Sequence, residues 1–165
     1  MKTSYMAALL LASANLAMAE KLTYKYACCE LGSPIDNAVS ANGMLLFSQQ
    51  QSDGAQLKAY GALTSADILD AHRYLAVTDG AAAEANTCND VKAKPENFLH
   101  KVYFDGDGTA EYEHAGTEIS LNLSLGKSVS MYQDEQRDGM VEACCVITEL
   151  ADLDAFCVAA ANLGL

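Results

Sequence analysis

Short runs in which apolar and polar residues alternate, each closed by a cluster of turn-forming residues, set what this chain can become. Leu22-Tyr24-Tyr26, Met44-Leu46, Leu57-Ala59, Tyr74-Ala76, Leu99 to Phe104, Ile119-Leu121-Leu123, Val129-Met131 and Ala143 to Ile147 all carry the pattern. A period of two places alternate side chains on one face, which suits a strand with one buried side and not a helix. Gly32-Ser33-Pro34, Ser52-Asp53-Gly54, Asp105-Gly106-Asp107-Gly108 and Arg137-Asp138-Gly139 stand between the runs as turns. About eight strands of this kind predict an all-β antiparallel sandwich or barrel. Residues 43–50 and 55–63 are expected to pair as a hairpin across Ser52-Asp53-Gly54. Two stretches depart from the pattern. Residues 64–71 read as a helical turn, and Ala151 to Leu163 reads as a short C-terminal helix with Leu153, Phe156 and Cys157 on one face.

The N-terminus reads as an export signal over residues 1–19. Lys2 gives the positive end, Met6 to Leu16 an apolar run, and Ala17-Met18-Ala19 a small-residue cleavage site followed by polar Glu20-Lys21. The run is too short to span a bilayer, which takes about 20 apolar residues. The remainder, residues 20–165, has the length of one domain. Without the leader, 9 Lys and Arg face 22 Asp and Glu, a net charge of about −13. Such a surface repels nucleic acid and anionic membranes. The reading is therefore a secreted, extracellular protein with no membrane span and no nucleic-acid partner; its partner is an unknown extracellular protein or none.

All six cysteines fall after the leader, at 28, 29, 88, 144, 145 and 157. An even number in an exported chain points to disulfides. No C-x-x-C pair suggests a metal knuckle, and adjacent cysteines rarely both reach one tetrahedral ion. Asn122-Leu123-Ser124 is a glycosylation sequon in a eukaryotic source. No G-x-S-x-G, H-E-x-x-H or G-x-G-x-x-G motif occurs. The metal candidates are His72, His100, His114 and Asp107. Each has a plainer reading: His72 as a packed, hydrogen-bonded imidazole, Glu111 to His114 as a solvated acidic edge strand, and Asp107 as a turn aspartate. The three histidines lie on separate segments and are not expected to converge.

The order of the segments resembles the copper/zinc superoxide dismutase family over most of residues 21–148. Ser52-Asp53-Gly54, Leu57 to Leu63, and His72-Arg73-Tyr74 leading to Cys88 resemble its Gly hairpin, its V-x-V-x-G-x-(I/L) strand, its H-G-F-H-x-H strand and its cysteine-bearing loop. Gly126 to Tyr132 resembles its G-R-S-V-V-V-H strand, and Gly139 to Ile147 its G-G-R-L-A-C-G-V-I segment. The resemblance implies an eight-stranded Greek-key β-barrel. It also implies a Cys88–Cys144 disulfide, and it places the first and last strands side by side. That favours Cys28 or Cys29 joined to Cys145 or Cys157, and the choice among these stays open.

Carried over residue by residue, the family's chemistry is missing. Its two copper histidines in H-G-F-H-x-H fall on Leu75 and Val77, a third on Tyr132, and its anion-guiding arginine on Val141. Only the first histidine of that motif is kept, as His72. Its metal-loop histidines have no counterpart between Cys88 and Phe98, where Lys92, Lys94 and Pro95 stand. Asp107 is aligned with its zinc aspartate. On this alignment, histidines placed at 75, 77 and 132 would restore copper binding. The expectation is a secreted, non-catalytic domain of this type with a binding or structural role and no cofactor. The rivals are a divergent copper-dependent dismutase, which would hold copper or zinc through His72, His100, His114 and Asp107, and an acidic extracellular metal-sequestering protein.

Overall fold

Alternation in sequence becomes alternation in burial. Along the strand Leu57–Ser65 the odd-numbered residues are buried, while Lys58 and Thr64 are exposed and Tyr60 and Ala62 half-buried. Most of the described residues lie in strands of this kind. A computed structural model describes residues 23–33, 40–79, 88, 98–116, 119–137 and 140–163; the leader at 1–19 and the region of Lys92, Lys94 and Pro95 lie outside the described residues. The described strands are β1 Tyr24–Gly32, β2 Ala41–Gln50, β3 Leu57–Ser65, β4 Ala71–Thr78, β5 Phe98–Phe104, β6 Thr109–Gly116, β7 Ser128–Tyr132, β8 Val141–Val146 and β9 Thr148–Leu150. The helices are α1 Leu121–Ser124 and α2 Leu153–Leu163.

Every pairing is antiparallel, in the order β5-β4-β7-β8-β1-β2-β3-β6, with β9 beside β1. The non-consecutive neighbours β4–β7 and β3–β6 are the crossings of a Greek key. The two ends of the order, β5 and β6, are consecutive in the chain and joined by a tight turn, in which the Asp105 N–H donates to the Thr109 carbonyl at 2.9 Å. The sheet thus returns on itself as a nearly closed eight-stranded barrel with a short C-terminal helix. Its interior is filled by Leu45, Phe47, Leu63, Leu75, Val77, Phe104 and Met131 among others. A second buried cluster of Ala76, Tyr132, Val141 and Cys144, with Tyr74 and Cys88 against it, is separate from this core.

Three local expectations are corrected. Ile119-Leu121-Leu123 is no strand: α1 occupies Leu121–Ser124, the Leu125 N–H donating to the Leu121 carbonyl at 3.1 Å. Gln49 holds its start, accepting the Leu121 N–H on Oε1 at 2.7 Å. Residues 64–71 form no helical turn. β3 runs to Ser65, whose hydroxyl accepts the N–H groups of Asp67 and Ile68 and turns the chain in a bend before β4. In α2, Leu153 and Cys157 are exposed, and it is Phe156 that packs, on the Tyr26 ring at 5.1 Å. Leu46 pairs with Cys28 on the same side of β1–β2 as Tyr26 and is fully buried, with α2 packed against both strands.

Candidate functional site

Which face a strand residue takes decides which others it can join. Leu75 and Val77 belong to the barrel interior. Tyr132 belongs to the second cluster, with Ala76, Tyr74 and Cys88. The three positions that the resemblance assigns to copper therefore lie on opposite faces of the sheet and share no site. A one-residue slip does not rescue them: the β4 residues on the other face are His72, Tyr74, Ala76 and Thr78, and the single imidazole among them is exposed at the start of the strand against Tyr103. In that direction the Thr78 and Ser130 hydroxyls hydrogen-bond to each other at 2.7 Å, and Tyr132 is fully buried. Val141 is buried as well. The nearby guanidinium, Arg73, is buried and committed to the Glu142 carboxylate, with its Nη1 donating to the His72 carbonyl at 2.9 Å. These residues do not fit a copper ion, and histidines at 75 and 77 would enter the core instead of a copper site.

The same parity sorts the cysteines. Cys28 and Cys29 point to opposite sides of β1, and Cys144 and Cys145 to opposite sides of β8. On the interior side Cys29 is bonded to Cys145, with a Cα–Cα distance of 5.4 Å. On the other side Cys144 is bonded to Cys88, at 5.7 Å. Cys28 is left half-buried and Cys157 exposed, both as thiols. Burial, with the Glu30 charge added, pushes the Cys28 thiol above its ordinary value.

The metal candidates fall in three places. His72 is exposed, not packed, and meets Tyr103 edge-on at 5.0 Å between ring centres. Asp107 is exposed in the β5–β6 turn, where its N–H donates to Asp105 Oδ1. Asp105 organises that turn: its carboxylate also accepts the N–H and the hydroxyl of Thr109, and these bonds hold its carboxyl below the usual range. His100 and His114 come together, contrary to expectation, with ring centres 5.1 Å apart and planes within 24°. His100 lies in β5 near Tyr112, at 6.0 Å. Among the described residues no group of three or more His, Cys, Asp or Glu side chains is placed to hold a metal. The signal for the pair was in the sequence: His100 and His114 stand nearly symmetrically about the Asp105–Gly108 turn, which sets them opposite each other in a hairpin.

No family model matches the sequence, and no curated protein matches it.

Proposed function

We propose that this chain is an exported β-barrel domain of superoxide dismutase-like plan that does no redox catalysis and acts by binding or by structure. One observation carries the reading: Leu75 and Val77 face the core while Tyr132 faces away from it. Dismutation needs an ion held by several convergent imidazoles through two oxidation states, and these strands offer none there. Two disulfides support an oxidising, extracellular setting. No helix of the described residues is long and apolar enough to cross a membrane. With a charge of −12 the surface favours a cationic or neutral protein partner over nucleic acid.

The test is superoxide consumption by the purified protein after incubation with copper and zinc, measured with excess chelator present. The expected rate is that of the uncatalysed reaction. Chelator-resistant, copper-dependent turnover that Tyr132→Ala abolishes would overturn the reading.

A further inference from the structure

We infer that His100 and His114 form a two-imidazole site for a borderline transition-metal ion, Cu2+ or Zn2+, at the open seam of the barrel. The seam is where β5 and β6, the two ends of the strand order, meet without a continuous ladder. The imidazoles lie across it, nearly parallel and 5.1 Å apart between ring centres. Ligand nitrogens sit about 2.0–2.1 Å from such an ion, so two of them on one ion stand roughly 3–3.5 Å apart. Stacked rings at 5.1 Å reach that spacing by small rotations of the side chains.

Four nearby residues suit the site to a hydrated cation. A β-carbon at Gly116 would lie 2.8 Å from His114 Nε2, so the bare glycine gives the His114 ring its place on the strand. Tyr112, two residues before His114 and beside His100, has a buried hydroxyl without a hydrogen-bond partner among the described residues. An unsatisfied buried hydroxyl is costly, and water bound to an ion would satisfy it. Glu111 and Glu113, exposed on the other side of β6, add negative potential to an already acidic protein. Imidazole donors select Cu2+ and Zn2+ over calcium or magnesium, which prefer oxygen. With two protein ligands, water completes the coordination. The site is distinct from the positions that the family resemblance assigns to copper, and it holds whether or not the non-catalytic reading does.

The experiment adds CuSO4 to the purified protein. Binding is followed by calorimetry and copper electron paramagnetic resonance, and copper-induced line broadening is mapped on the amide resonances. One Cu2+ per chain with nitrogen coordination is expected, with broadening confined to β5, β6 and their neighbours. His100→Ala and His114→Ala should each weaken binding about tenfold or more, and His72→Ala should not change it. Zn2+ should compete for the same site, and acidification should release both ions, because a ligating imidazole must be unprotonated. Undiminished binding in the His100→Ala/His114→Ala double variant, broadening centred on the N-terminus or His72, or no binding at micromolar copper would each overturn the inference. The broadening map is read on the unaltered protein, so it decides the matter even if a variant fails to fold.

Discussion

Cys28 and Cys29 are adjacent in sequence, yet one is a half-buried thiol and the other is locked in the core. The pleat of β1 is the whole cause, since successive side chains leave the strand on opposite sides. The difference is measurable. Alkylation without reductant should label two cysteines of the six, Cys157 first and Cys28 later. Cys157 is exposed, whereas Cys28 is shielded and its thiol is held above its ordinary value by burial and then by Glu30, which lowers the reactive thiolate fraction. Peptide mapping at pH 8 checks the order. Labelling of Cys28 before Cys157 would contradict this account, and no labelling at all would mean a third disulfide.

Strands were legible in the sequence because burial alternates along them, and the hairpin across Ser52-Asp53-Gly54 was legible because turn residues separated two such runs. Ile119 to Leu123 misled because alternation over five residues fits a strand as well as a short helical turn. Only the long-range bond from Gln49 to the Leu121 N–H shows which one forms. The candidate site was less legible. Motif alignment put Leu75, Val77 and Tyr132 together, but a one-residue error of register exchanges the faces of a sheet, and sequence similarity of this strength does not fix register. Turns reveal a further contrast at this scale. Gly54 and Gly108 both have positive φ, 71° and 73°. A β-carbon on Gly54 would meet nothing within 4 Å, whereas on Gly108 it would lie 1.9 Å from the Ser65 carbonyl oxygen. Gly108 also accepts the Ser65 N–H at 2.8 Å, tying the β5–β6 turn to the end of β3. Gly54→Ala should therefore cost only the left-handed backbone term, about 1–2 kcal/mol. Gly108→Ala should cost more, because the β3 end and the turn must move apart. Chemical denaturation of the two variants checks the ranking, and equal losses would show that the turn yields without strain.

At the scale of the whole barrel, the shortest of the paired ladders is the one reinforced by a covalent bond between its strands. β1 and β8 share one paired position, Gly32 with Cys144, whereas β1 and β2 share nine. The Cys29–Cys145 disulfide joins these same two strands inside the core, across a separation of 116 residues. Cys88–Cys144 spans 56 residues and fastens Cys88 to β8 on the other face. Loop-closure entropy hardly separates the two, since both come to about 4–5 kcal/mol in the chain-entropy model. What separates them is the folded state. Loss of Cys88–Cys144 leaves the ladders intact, but loss of Cys29–Cys145 leaves β1 and β8 joined by one ladder position and removes two sulfurs packed among core side chains. The Cys29→Ala/Cys145→Ala variant should thus be less stable than Cys88→Ala/Cys144→Ala, with each below the unaltered protein by about 2–5 kcal/mol. Urea midpoints give the ranking. Amide exchange gives the location, because the first variant should lose protection at β1 and β8 before β2 and β3, while the second should lose it near Cys88. The reverse ranking, or uniform loss of protection in the first variant, would mean that the β1–β8 contact is held by packing and not by its disulfide.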